Sequence, residues 1–302
     1  MFDVSNKPDT LRTALAQAIV KTSSDTIRLI KEGKSPKGDV VETAKVAATM
    51  AAKRTWDFLP YCHSIPIDNV KVDVELKDGL IEVLVETKTV WKTGVEMESL
   101  TAAAIGALTI YDMLKPIDEN LSIESIKLIE KRGGIKNFAQ DSNSKLRAAV
   151  LVISDSTSKG TREDKSGKLA VERLGSNGFD VVEYKVVADE MDSIESDLKK
   201  FCDSLKVDLV ITTGGTGLGP RDITPEATKK IIEKEVPGLS ETMRNYGQRR
   251  TPLSMLSRGI SGVRGNTLIV NLPGSTKGVS ESLDALFPGL FHVYKMLGGY
   301  GH

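Results

Sequence analysis

A run of apolar residues, Ala148–Ser154 (AAVLVIS), begins directly after a small polar stretch, Ala139–Lys145 (AQDSNSK), and the chain is built differently on its two sides. An unbroken apolar run of this length reads as a strand buried on both faces, which is the habit of parallel sheets. After the junction, strands are expected at Ala148–Ser154, Val181–Val187, Val207–Thr212 and Thr267–Asn271, with helices between them and at the end. That alternation predicts a doubly wound α/β domain with a mostly parallel sheet. Before the junction the order reads helix, helix, strand, strand, helix, strand. The first helix is expected over Thr10–Glu32. Asp39 caps a second running to about Trp56, with Glu42 at the capping-box position. Val70–Glu75 and Leu80–Thr87 alternate apolar and polar residues around the hairpin signal Asp78-Gly79. Ser99–Met113 reads as a small-residue helix and Ser122–Glu130 as a last strand. Hairpin strands with packed helices predict an α+β layer sandwich. The expected division is residues 1–138, a linker at 139–146, and 147–302, in line with about 100–200 residues per domain.

Hydrophobic residues make up 40% of the 302 and charged residues 27%, an ordinary globular balance. Lys plus Arg number 41 and Asp plus Glu 41, which argues against non-specific binding to nucleic acid or an anionic membrane. No apolar run reaches the roughly 18 residues of a membrane span. MFDVSNKPDT at the start lacks a basic region followed by an apolar core, so no secretory signal is expected there. Cys62 and Cys202 stand far apart, which suits reduced thiols in the cytoplasm. The three histidines, His63, His292 and His302, form no zinc-ligand spacing with them.

In open α/β sheets ligands sit beyond the carboxyl ends of the strands. The segments that leave the four predicted strands are Ser154-Asp155-Ser156, Ala188-Asp189-Glu190, TGGTGLGPRD (Thr213–Asp222) and LPGSTKG (Leu272–Gly278). Hydroxyls, carboxylates and glycines thus gather at one edge. Gly214, Gly215, Gly217 and Gly219 leave backbone N–H groups uncovered, which suits phosphate. Pro220-Arg221 stands where a Walker loop has Lys-Ser/Thr, and the spacing is not the dinucleotide fingerprint. Thr224 is expected to cap the next helix, with Pro225 at its first position. Asp222 then lies in the loop before the helix, either as a Mg²⁺ ligand or as a turn residue.

The strings VISDS, TTGGTG, RDITPEA, VPGLSETMR, LSRG and NLPGSTKGVSESL together resemble the molybdopterin-binding family that includes molybdopterin adenylyltransferase, from about Arg147 onward. The resemblance implies adenylylation of molybdopterin by Mg-ATP with release of pyrophosphate. It places the family's two aspartates on Asp189 and Asp222. It puts nucleotide and pterin phosphate near Ser154, Asp155, Gly214, Gly215, Thr216, Gly217, Gly274 and Ser275. Such a transfer needs positioning and charge stabilisation more than covalent chemistry from protein.

Chemistry-bearing groups before the junction are Lys37, Cys62-His63, Glu96, Glu98, Asp112, Lys115 and Lys131. Asp112 and Lys115 share a helix face. Glu96 and Asp112 fall on one helical stretch, about 24 Å apart at 1.5 Å per residue. They cannot serve one small reacting centre within a single subunit, so one is irrelevant or the site is shared. MFDVSNK with Arg12, SPKGDV, AAKRTWDFLPYCH, ETKTVWKTGVEMESLTAAAIGALTIYDM and LIEKRGG resemble cyclic pyranopterin monophosphate synthase, over about Met1–Asn137. The resemblance implies a ferredoxin-like fold and a hexamer of three dimers with sites between subunits. Its reaction converts a cyclised dihydroguanosine triphosphate into cyclic pyranopterin monophosphate. Its functional residues fall on Lys37, His63, Glu96, Asp112, Lys115 and Lys131. Lysines suit the triphosphate, and Asp112 and His63 suit proton transfer or orientation. Glu96 suits purine recognition. Two departures are Tyr61 and Ser64 where Leu and Pro are common, and Ile135-Lys136-Asn137 where Lys-Ser-Gly is usual.

Two other readings compete. An RNA-binding sheet would carry exposed aromatics on its central strands, and Val70–Glu75 and Leu80–Thr87 have none. The second half could instead be a pterin-binding scaffold without catalysis, against which both Asp189 and Asp222 are present.

Overall fold

Thr10–Lys21, rich in the helix formers Ala, Leu and Gln, is a strand (β1), not the start of the expected helix. Ala14, Ala16, Ala18 and Val20 are buried at every second position, the period of a strand. The segment pairs on both sides, with Leu80–Trp91 (β3) and Ser122–Arg132 (β4). Two ladders of backbone hydrogen bonds outweigh a helix propensity that differs by only tenths of a kcal/mol per residue. The chain turns helical only at Ser24–Lys31 (α1), which Ser23 caps by accepting from the Thr26 N–H. This is a computed structural model, and it describes residues 1–134, 145–287 and 289–299. Most of the expected linker, the Ile135–Asn137 departure and His302 lie outside the described residues.

Two units divide the chain, Met1–Phe138 and Ala139–His302. In the first, Asp39 caps Val40–Lys53 (α2) as expected, accepting from the Glu42 N–H, and a short turn, Thr55–Phe58 (α3), comes next. Asn69–Lys77 (β2) and β3 form the hairpin, and Glu96–Leu114 (α4) is the long small-residue helix. The antiparallel sheet runs β2-β3-β1-β4. The alanine face of β1 packs with Ile81, Val83 and Val85 of β3 under Ala44, Ala48 and Ala52 of α2 and Ala103 and Ala107 of α4. Small residues on every layer let the helices lie close to the sheet.

In the second unit the sheet runs β6-β5-β7-β10-β9-β8. Arg147–Ile153 (β5), Asp180–Val187 (β6), Leu209–Thr213 (β7) and Thr267–Leu272 (β10) are parallel. Ser261–Arg264 (β9) and Lys234–Glu235 (β8) add an antiparallel edge that the sequence reading lacked. Along β5, Ala148, Val150 and Val152 enter one core, while Ala149, Leu151 and Ile153 enter another on the opposite face. Burial on both faces is what the unbroken apolar run foretold. From β5 the chain passes to β6 on one side and then to β7 on the other. The order therefore reverses between β5 and β7, and a cleft opens there. Among the described residues, no helix is long and apolar enough to cross a membrane.

Candidate active sites

The carboxyl ends of β5, β6, β7 and β10 converge on a cleft of about 480 Å³. Ser154, Asp189, Gly214, Gly215, Asp222, Gly274 and Ser275 line it, with the cations Arg162 and Lys165. A second cleft of about 530 Å³ has Thr216, Gly217, Met243, Leu253, Leu256 and Lys277 on its walls. Gly215, Asp222, Gly274 and Ser275 belong to both, so the two glycine loops form a ridge between two basins.

Backbone conformation explains the glycines. Gly214 and Gly215 have φ of 103° and 62°, the left-handed region. A Cβ on Gly214 would lie 2.1 Å from the Ile153 carbonyl oxygen, and one on Gly215 would lie 2.2 Å from Thr224 Oγ1. Thr224 does not cap its helix, as the sequence suggested. The helix Thr224–Ile231 is preceded by Ile223 without a side-chain cap. The Thr224 hydroxyl instead donates to the Gly214 carbonyl at 2.9 Å, tying the helix start to the loop.

Asp222 accepts the Gly219 N–H at 2.8 Å. Arg258 braces the same loop from below, donating from Nε to the Gly217 carbonyl at 2.7 Å and pairing with Glu226. Asp189 is buried, and desolvation pushes its carboxyl above the usual aspartate range, with the charges of Asp155 and Asp222 adding to it. Asp155 is held below that range, chiefly by Arg221. Asp155 does not line either cleft but faces Arg221 and the Asp189 backbone.

The first unit separates its predicted residues into two groups at opposite ends of α4. At the carboxyl end, Asp112 pairs with Lys37 and Lys115, each at 2.8 Å. Lys115 and then Lys37 hold the Asp112 carboxyl down at about 2. At the amino end, Glu96 meets Lys131 at 3.1 Å. A cleft of about 580 Å³ surrounds that pair, and Lys7, Arg12, Lys92, Lys131 and Arg132 line it, with Glu96 the one carboxylate among the described lining residues. The structure does not bring Glu96 and Asp112 together. His63 meets neither group through its Nε2, which donates to the Phe2 carbonyl at 2.9 Å; the acceptor fixes the proton on that nitrogen.

Several residues escaped the sequence reading. Arg12 and Lys92 belong to quoted strings, but only the fold turns them into one basic cleft. The sequence marks Glu98 as a chemistry-bearing group without giving it a role, and only the fold leaves it 5% exposed. Desolvation pushes its carboxyl up to about 7, with Glu96 adding and its own backbone N–H opposing. Burial first, and then the charge of Glu98, hold the Cys62 thiol above its ordinary range.

Comparison with known proteins agrees with the two-unit division. Residues 1–134 match the MoaC family, and residues 149–292 match the family described as "Probable molybdopterin binding domain". A molybdenum cofactor biosynthesis bifunctional protein of Chlorobaculum tepidum is 38% identical over 100% of this chain and 96% of its own length. A cyclic pyranopterin monophosphate synthase of Thermomicrobium roseum is 48% identical over 44% of this chain and 82% of its own. A molybdopterin adenylyltransferase of Helicobacter pylori strain J99 is 47% identical over 51% of this chain and 90% of its own. This chain belongs to the family of bifunctional molybdenum cofactor biosynthesis proteins.

Proposed function

We propose that the first unit converts cyclic dihydroguanosine triphosphate into cyclic pyranopterin monophosphate, and that the second adenylylates molybdopterin with Mg-ATP. Both reactions release pyrophosphate. The first unit's strand order, β2-β3-β1-β4 with helices crossing between strands, supports a ferredoxin-like fold. Its basic cleft supports a triphosphate substrate, because point charges from Lys and Arg suit phosphate oxygens. Glu96 recognises the base there, while Lys131 holds phosphate. Asp112, Lys37 and Lys115 handle protons and phosphate from the other end of the helix. Glu98, half-ionised near neutrality, is suited to taking and returning a proton. The carrying observation is that the two groups sit at opposite ends of one 19-residue helix. A complete site then needs α4 ends from two subunits, so the protein is a homo-oligomer. Exposed Val46 and Met50 on α2, and Leu108 and Tyr111 on α4, supply apolar surface for such packing.

For the second unit the carrying observation is the pair Asp189 and Asp222 on one cleft at the reversal of strand order. Their oxygens fit Mg²⁺, which takes one or two carboxylates and completes its shell with waters and phosphates. When bound, Mg²⁺ neutralises charge developing on the phosphates. The residues of the chain do the rest. Amides of the Gly214-Gly215 loop suit phosphate, Arg162 and Lys165 line the same cleft, and Ser275 borders the pterin. The protein works in the cytoplasm with small-molecule partners and without nucleic acid or membrane.

Asp222→Asn tests this reading. It keeps size and one carbonyl oxygen but removes the charge. Turnover with saturating Mg-ATP should fall strongly while molybdopterin binds with similar affinity. Asn is about as good as Asp in a turn or cap. Unchanged turnover would therefore reject the metal role.

A further inference from the structure

Arg221 occupies an unusual place in the second unit. It precedes Asp222 in the loop after β7, yet its side chain reaches across to the ends of β5 and β6. Nε donates to Asp155 Oδ2 at 3.0 Å and Nη2 to Asp155 Oδ1 at 2.9 Å, a two-pronged grip. Nη2 also donates to Glu190 Oε1 at 2.8 Å. Asp155 in turn is locked to Asp189 by a reciprocal pair. The Asp155 N–H donates to Asp189 Oδ2 at 2.8 Å, and the Asp189 N–H donates to Asp155 Oδ1 at 3.2 Å. The oxygen that receives the Asp189 N–H is therefore also gripped by the guanidinium.

A purely structural role accounts poorly for this chain of contacts. The helix that Asp155 opens is one turn, Asp155–Ser158, and Ser154 already caps it. The Arg221 side chain is 54% exposed, and an exposed ion pair contributes little to folding. What the contacts do achieve is local. They fasten the loop carrying Asp222 to the strand ends carrying Asp189, and they fix which way the Asp189 carboxylate faces. A Cβ on Gly215 would lie 3.2 Å from Asp189 Oδ1, so that second oxygen lies near the glycine loop.

We propose that Arg221 and Asp155 are positioning residues for adenylyl transfer. They hold Asp189 by a bidentate grip passed through a reciprocal backbone hydrogen-bond pair, and they set its distance from Asp222. The inference rests on the adenylyltransferase reading given above.

Arg221→Gln and Arg221→Lys in the full chain test it, each read by turnover, molybdopterin affinity, thermal midpoint and amide hydrogen exchange. Displacement of a positioned group by about 1 Å can cost on the order of a hundredfold. Arg221→Gln should lower kcat by roughly ten- to a hundredfold. Pterin affinity should stay within about twofold, and the thermal midpoint should hold, since an exposed ion pair adds little to stability. The amides of Asp155 and Asp189 should exchange faster, because their acceptors are no longer held. Arg221→Lys keeps the charge but loses the fork, so it should recover little of the turnover. Unchanged exchange at both amides would overturn the inference, and so would full recovery with Lys, which would make charge alone sufficient. A parent chain that shows no adenylyl transfer, with exchange at the two amides still Arg221-dependent, would remove the enzymatic reading and the catalytic part of this inference while leaving the positioning contact standing.

Discussion

Glu98 offers a measurable consequence of burying one carboxyl in the first unit. It is 5% exposed, and burial lifts its carboxyl from the ordinary 4.5 to about 7. Each tenfold change in proton affinity is worth about 1.4 kcal/mol, so ionising Glu98 costs the folded state about 3 kcal/mol more than the unfolded chain. Proton counts set the sign. Below pH 4.5 both states hold the proton, and Glu98 carries no penalty. Between about 4.5 and 7 the folded state binds more protons than the unfolded, so stability falls as pH rises. Above 7 the whole penalty is present. Glu98→Gln cannot ionise, so relative to the parent it should gain about 3 kcal/mol of stability across that window. The two tryptophans, Trp56 and Trp91, both lie in the first unit, so their fluorescence during urea unfolding reports that unit alone. Midpoints at pH 5 and pH 8 for parent and variant supply the difference. A gap between the two proteins that stays the same at both pH values would refute the buried, proton-holding Glu98.

Mixing inactive Glu96→Ala and Asp112→Ala chains should partly restore cyclic pyranopterin formation, because some interfaces then pair an intact Glu96 with an intact Asp112. Mixed oligomers without activity would leave the shared site unsupported. Gly215→Ala places an L residue at φ 62°. The backbone alone should cost the second unit about 1–2 kcal/mol, and the clash with Thr224 should disturb the loop further. A thermal midpoint and turnover equal to the parent's would contradict the loop geometry.

How much the sequence disclosed depended on how local each cause is. The parallel strands were legible because burial on both faces leaves a plain apolar run, as in Ala148–Ser154. Once they were placed, topology alone put Ser154, Asp189, Gly214 and Gly274 on one edge. β1 was misread because its side chains favour helix one residue at a time, whereas its strand state comes from two partners distant in sequence. The period-two pattern at Ala14, Ala16, Ala18 and Val20 was present but lay in small residues that suit either structure. β8 and β9 span two and four residues, too short to show a period. The opposite ends of α4 came from helical rise, so the separation of Glu96 from Asp112 was readable from spacing alone. The grips of Arg221 and Arg258, and the burial of Glu98, were not readable, since each depends on segments brought together only by the tertiary fold.

Pyrophosphate release, monitored with each substrate in turn, tests the claim of two separate active sites in one chain most directly. The parent should release it from cyclic dihydroguanosine triphosphate, and separately from ATP when molybdopterin is present. Lys115→Ala should abolish only the first, and its 56% exposed side chain leaves folding intact. Asp222→Asn should suppress only the second. Loss of both activities in either variant, or no release by the parent from ATP with molybdopterin, would contradict the account.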